Sequence, residues 1–571
     1  MLCLLLLALF TNLIVATPTV TDSRNNVTYR GFLRNGIDVF LNIPYGEDTG
    51  GQNRFKPPKL HVPMSGSVVN ATSYGPACPQ PLNSNSLPLV LTNITNVSEN
   101  CLSLNIARPN TTCVGSKLPV MVFIHGGSFW TGSNQEITTT PDALVIQSIE
   151  NKLPVMHVAM NYRLGAFGFA QSTALRNEGS ENAGLRDQRL AIEWVRDNID
   201  QFGGDPERIT IFGQSSGGLA IGMQTLAYGG SKPVPFQQGI CESQALEPGI
   251  TGNFTLNQMQ LLVDAVGCNT TDLNSDVTVQ CLRNLDSQTL LQASIDTYTA
   301  DISHNIGDSW LPVVDGDFLP AAPSQLLAEN RFANVTTMIL WCENDLTFFT
   351  PMDIVSEADT FAFVASYQPA MSNASITDLL NLYPPSDFSD NPAANLSAQF
   401  FRSARIFRDI LMTCQPIWYG ENLARAGNDV YLIDQNQTLL DPILASLGSP
   451  GLGPVHTSEF AYTYGNLSHY NTSGYPFNPT AEDYRLQTQQ SRSWSTFASV
   501  GQPSLHARDT LQSMDLAFAQ PNQTSVFVVG GPTEGLSTFD GPDAKPAVAA
   551  QKLRSRCSFL NSPSIIPQLQ Y

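Results

Sequence analysis

The stretch that most restricts what this chain can fold into is one where residue preference changes three times in quick succession. From Leu185 onward, Leu190, Trp194, Val195, Ile199 and Phe202 recur at helical spacing with charged residues between them, and Gly203-Gly204 supplies a stop. Residues 209–212 then form a short apolar run, followed by Gly213-Gln214-Ser215-Ser216-Gly217 and by Gly218, Leu219 and Ala220, which open a second helix. A strand that passes into a helix through one serine needs a strained apex, and small flanking residues let the two elements close on each other. Helix, strand, helix is the repeating unit of a parallel sheet. Further runs at 120–124, 155–160, 336–341, 430–433 and 525–529 are β-rich, and several are apolar on both faces, as strands buried between layers of helices are. The expected fold is α/β, with a large, mostly parallel central sheet and helices on both faces. Neither a linker nor an internal repeat interrupts the chain, so residues 17–571 are expected to form one domain. The Asn- and Ser-rich stretches near 373–395 and 466–478 read as surface loops.

Charge narrows the partners. A formal net charge of −20 on 571 residues argues against phosphate backbones and anionic membrane surfaces, so no nucleic-acid partner is expected. Residues 1–16 form an apolar run of signal-peptide length ending at Ala16, and no later segment approaches the ~20 apolar residues a membrane span needs. The expectation is a secreted, extracellular protein without stable membrane insertion. Fourteen Asn-X-Ser/Thr acceptors, from Asn26 to Asn522, predict N-linked glycans. Beyond Cys3 in the leader, nine cysteines enter a compartment where disulfides form, and the odd number leaves at least one thiol free or paired with another chain.

Chemistry concentrates at strand ends. Ser215, at the apex of the turn, is the candidate nucleophile, and Ser216 is the rival hydroxyl, better placed to offer its backbone amide. His125-Gly126-Gly127-Ser128-Phe129 follows the run 120–124, where small residues let amides point into a cavity. Gly127, Ser128 and Ser216 are the candidate oxyanion donors. A serine nucleophile needs a base and an acid, which in such folds follow it in the order acid, then histidine. His61, His125 and His157 precede Ser215, and His304 leaves no room for a strand carrying the acid. His469 lies between the acceptors Asn466 and Asn471, a position that reads as glycan-bearing surface, and His506 lacks a glycine-rich loop. His456, in Gly451-Leu452-Gly453-Pro454-Val455-His456, is the expected base. After the run 336–341, both Glu343 and Asp345 are available as the acid, and pattern alone does not choose between them.

Together with Phe40 to Gly46, Glu99 to Asn105, Asn161 to Phe169 and Asn182 to Asp205, these segments resemble the type B carboxylesterase and lipase family of α/β-hydrolases. The resemblance runs from about residue 20 to the C-terminal region. It implies Asp345 as the acid, in register with the family's glutamate, with Glu343 in reserve; Asp is one methylene shorter, and Leu346 stands where the family has glycine. It also implies the disulfides Cys78 to Cys101, Cys268 to Cys281 and Cys414 to Cys557. Cys113, Cys241 and Cys342 remain over, Cys342 as a buried thiol. Trp130, Phe348 and Phe349 would line an acyl pocket. Gln214 and Leu91 stand where cholinesterases carry a glutamate and a tryptophan, which argues against quaternary ammonium substrates. The apolar stretch 87–91, within the first disulfide loop, reads equally as a cover for the cleft and as simple packing.

The expected activity is hydrolysis of a small-molecule or lipid carboxylic ester through an acyl-Ser215 intermediate, with no cofactor and no metal. A triacylglycerol lipase is the alternative within the family. From another class, the resemblance also admits an adhesion or carrier protein that kept the fold and lost the triad. The sequence leaves monomer and dimer both open.

Overall fold

The computed structural model describes residues 17–83, 88–301, 308–472 and 474–571. The expected leader at 1–16, Leu87 of the apolar stretch and His304 lie outside them. In chain order the strands are β1 (Thr19–Asp22), β2 (Val27–Arg30), β3 (Phe32–Arg34), β4 (Ile37–Pro44), β5 (Val68–Asn70), β6 (Ser103–Pro109), β7 (Leu118–Ile124), β8 (Met156–Met160), β9 (Gly204–Gln214), β10 (Gln238–Glu242), β11 (Thr336–Cys342), β12 (Val430–Gln435), β13 (Ser525–Val529) and β14 (Gly535–Thr538). A small sheet joins β1, β2 and β5. Among the described residues the remaining eleven form one sheet, in the order β14-β13-β12-β11-β10-β9-β7-β8-β6-β4-β3.

The centre of that sheet, from β13 across to β8, is parallel throughout, while β14 at one edge and β6, β4 and β3 at the other pair antiparallel. This mixed sheet is the α/β-hydrolase arrangement expected from the sequence. All six expected strands are present. Of the strands not anticipated, β10 is the instructive one: Gln238, Gly239 and Glu242 give it no apolar signature, yet Glu242 is fully buried, with Trp494 Nε1 donating to its carboxyl group at 2.7 Å.

The helix Ala183–Asn198 tightens into a 3₁₀ turn over Ile199–Phe202 and stops at Gly203, whose φ of 90° lies in the left-handed region. Its buried face carries Leu185, Ile192, Trp194 and Val195, each large aliphatic side chain stabilising the fold by roughly 1.5–3 kcal/mol on burial. Near its start, buried Asp187 accepts from Arg163 Nε at 2.7 Å and Nη2 at 2.6 Å, tying this helix to the loop after β8. A second buried pair does similar work for the disulfide loop. Arg54 donates to Glu99 at 2.9 and 2.6 Å and to the Leu282 carbonyl at 2.6 Å, joining the segment before Cys101 to the helix Asp276–Asn284. The bridges are Cys78–Cys101, Cys268–Cys281 and Cys414–Cys557, with Cα separations of 5.1, 5.7 and 4.7 Å. Cys241 and Cys342 are buried free thiols, and Cys113 is exposed.

Candidate active site

Because β7, β9 and β11 run parallel, their C-terminal ends deliver three loops to one edge of the sheet, the place where open α/β folds form their crevice. The loop after β9 holds Ser215, at φ 60° and ψ −132°, immediately before the helix Ser216–Leu226. Such backbone geometry costs a non-glycine residue on the order of 1–3 kcal/mol and persists only where the surroundings impose it. The surroundings here are close. A Cβ on Gly217 would sit 2.1 Å from the Ile124 carbonyl oxygen, and one on Gly126 would sit 2.5 Å from that of Gln214. The Ser215 amide donates to the Glu242 carbonyl at 2.8 Å, fastening the turn to β10. Ser215 itself stays partly exposed.

Ser216 is nearly fully buried, and its hydroxyl accepts from the Phe129 amide at 3.2 Å. The rival serine is thus a clasp that holds the loop after β7 against the turn. In that loop Gly127, Ser128 and Phe129 all have positive φ (105°, 56° and 51°). The loop doubles back so that the Trp130 and Thr131 amides both donate to the Gly127 carbonyl at 2.9 Å. No acceptor among the described residues takes the Gly127 or Ser128 amide. Ser216 occupies the first position of its helix, where an N–H has no intrahelical acceptor.

Asp345 and His456 meet across 111 positions of sequence, Nδ1 to Oδ1 at 2.5 Å. Backbone bonds zip their loops together: His456 N to Asp345 O at 3.0 Å and Asn344 N to Pro454 O at 3.1 Å. The other Asp345 oxygen accepts from the Cys342 amide at 2.9 Å. Glu343 points elsewhere, toward Arg405 and Gln551, at 3.4 Å from each. Of the two carboxylates the sequence leaves open, Asp345 is the one beside the histidine. His469, expected on a glycan-bearing surface, is half-buried near Thr138 and Asp142, and burial lowers its pKa. His506 is exposed.

The aromatic residues divide. Phe349, 40% exposed, sets its ring edge-on to His456 at 5.7 Å. Phe348 is partly buried behind it, 5.4 Å away. Trp130 is buried and stacks on Tyr298 at 4.3 Å.

Three features had no signal in the sequence. Gln214 Nε2 lies 2.9 Å from His456 Nε2. Beneath the histidine, Glu459 is fully buried, accepts from the Cys342 thiol at 3.3 Å, and is pushed by burial and the charge of Asp345 up to about 7. Beside the loop after β7, Asp308 lies against Glu247 and Ser128, and burial raises both carboxyls above their ordinary range. Each of these contacts joins residues remote in sequence, so the local pattern around one partner does not name the other.

Among the described residues no cluster of His, Cys, Asp and Glu has the makings of a metal site, and no helix is long and apolar enough to cross a membrane. Residues 22–534 match the carboxylesterase family. A secreted lipase of Arthroderma benhamiae is 52% identical over 566 residues, covering 99% of this chain and 98% of that protein. An inactive carboxylesterase-like protein of Byssochlamys spectabilis is 33% identical, covering 96% and 94%. In fold, the crystal structure of Aspergillus niger EstA superposes with a TM-score of 0.76 at 24% identity, covering 97% of this chain and 99% of that one.

Proposed function

The chain belongs to the carboxylesterase family and is a carboxylic ester hydrolase, and from that premise we propose that it works through an acyl-serine intermediate on Ser215. The observation that carries this reading is the bonded pair Asp345–His456 beside a strained turn that leaves Ser215 partly exposed. Ser215 Oγ attacks the ester carbonyl while His456 Nε2 takes its proton. The carbonyl electrons move onto oxygen, where the Gly127, Ser128 and Ser216 amides stabilise the charge, each donor contributing roughly 2.7–4 kcal/mol. Collapse expels the alcohol, which leaves with the proton held by His456. Water then repeats the sequence in reverse, activated by the same imidazole, and releases the acid. Asp345 holds the ring in the tautomer with Nδ1 protonated and stabilises the imidazolium as it forms.

Trp130, Phe348 and Phe349 are proposed to line the acyl side, Phe349 being the one that reaches the histidine. A long acyl chain is the second reading, favoured by the 52% identity to a protein described as a lipase. Rates on esters from acetate to oleate, with and without an emulsion interface, separate the two. A lipase is expected to gain at the interface and with chain length, and a general esterase to peak on short soluble esters. Retention of all three side chains argues against an inactive carrier; absence of labelling by a fluorophosphonate would restore that reading. Secretion and glycosylation are part of the proposal. The mature protein in the medium should begin at or near residue 17 and lose mass on treatment with an N-glycosidase.

A further inference from the structure

Gln214 makes a contact that the three-residue mechanism does not use. Its Nε2 and the Nε2 of His456 are 2.9 Å apart, and only 3% and 5% of the two side chains' residues are exposed. Asp345 accepts from Nδ1, so a neutral ring carries its proton there and presents a lone pair at Nε2. The Gln214 amide must then be turned to donate an N–H. A ring nitrogen has one lone pair, and this one is the atom that would accept the proton of Ser215. It is already occupied, and among the described residues no hydrogen bond joins Ser215 Oγ to His456.

Building on the reading that His456 is the base for Ser215, we propose that Gln214 is a resting-state lock on that base: its amide holds Nε2 and steadies the neutral ring until an ester in the cleft displaces it. The position suits the task. Gln214 ends β9, opposite Glu242 of β10, so its backbone is fixed by the sheet and the lock opens by side-chain rotation. The glycine at 126 leaves the space for it, since a Cβ there would lie 3.3 Å from Gln214 Oε1. Among the described residues, the ionisable groups that face His456 are Asp345, Glu459 and Asp308. All are carboxyls, and where ionised each favours the imidazolium; the Gln214 donor acts in the opposite direction. Gln214 is on this account a positioning residue, acting on Ser215 only through the histidine.

The test is the rate of labelling of the full-length protein by a small fluorophosphonate between pH 5 and 9, for the wild type, Gln214→Met and Gln214→Glu. Methionine keeps the volume and removes the donor. Gln214→Met is expected to label about threefold to tenfold faster at pH 8, the fold-change equivalent of one ordinary hydrogen bond. Its acidic limb should move up by about half a pH unit or more, because the neutral ring loses a partner. Gln214→Glu, nearly isosteric, should move the limb further up and label more slowly than the wild type at pH 6. A simple packing role changes the rate without moving the limb, and that result, or an unchanged rate and limb in Gln214→Met, overturns the lock. Should Gln214→Met fail to fold, an unmoved limb in Gln214→Glu overturns it equally. If the wild type is not labelled, or Ser215→Ala still is, the Ser215 reading itself falls and the lock with it.

Discussion

The two halves of the candidate site are built by opposite means. The serine half is local: strand, apex and helix lie within one short run, and the strain at Ser215 is enforced by backbone packed on backbone through Gly126 and Gly217. The acid–base half is assembled from loops 111 positions apart, held by side-chain and main-chain hydrogen bonds that a small displacement would break. One half resists change through excluded volume, the other through directed bonds. Substitutions should therefore fail differently on the two sides.

The largest expected effect is on the serine side, where Ser215→Ala should lower kcat on p-nitrophenyl esters by at least about 10⁴-fold while leaving the circular dichroism spectrum intact. On the other side Asp345→Asn should cost about 10³–10⁴-fold in kcat with little change in KM, since an amide favours the wrong tautomer of His456. Glu343→Gln supplies the contrast and should change kcat less than about threefold; a larger loss in Glu343→Gln than in Asp345→Asn would mean that the carboxylates have been assigned the wrong way round. Gly217→Ala probes excluded volume directly. With a Cβ 2.1 Å from the Ile124 carbonyl, the loss of unfolding free energy should reach at least the 1–3 kcal/mol typical of overpacking, roughly, read from urea denaturation.

A smaller effect concerns pH. Glu459, raised to about 7 in the folded protein by burial first and by the charge of Asp345 second, binds a proton that the unfolded chain has already released above its ordinary range. Between about pH 4.5 and 7 the folded state therefore holds more protons, so this group's contribution to stability is complete below that window and declines as pH rises through it. Glu459→Gln should flatten that decline, by at most about 1.4 kcal/mol per pH unit. Melting temperatures of the two proteins across the window provide the measurement, and parallel curves would refute the assignment.

Much of the frame was legible in the sequence. The six anticipated strands, the helix ending at Gly203 and the turn at Ser215 all rest on short-range signals, apolar runs and glycine positions that act over a few residues. The strands β4 and β6 lie at the antiparallel edge and were not anticipated, and β10 stayed hidden because a buried glutamate reads as a surface residue until its partner, Trp494, is known. The choice between Glu343 and Asp345 was open to pattern because the two are separated by one residue on the same loop. Resemblance favoured Asp345; in the structure Asp345 lies beside His456, while Glu343 lies 3.4 Å from both Arg405 and Gln551.

The sequence by itself determined where the chain must turn sharply and which residues are small enough to permit it, because steric exclusion depends on atoms a few bonds apart. Only the tertiary structure decided what each polar atom near the turn is bonded to: that Ser216 clasps the Phe129 amide, that Glu459 accepts from the Cys342 thiol, and that Gln214 sits on Nε2 of His456. Hydrogen bonds are satisfied by whichever partner the fold brings within reach, and no local preference records that partner in advance.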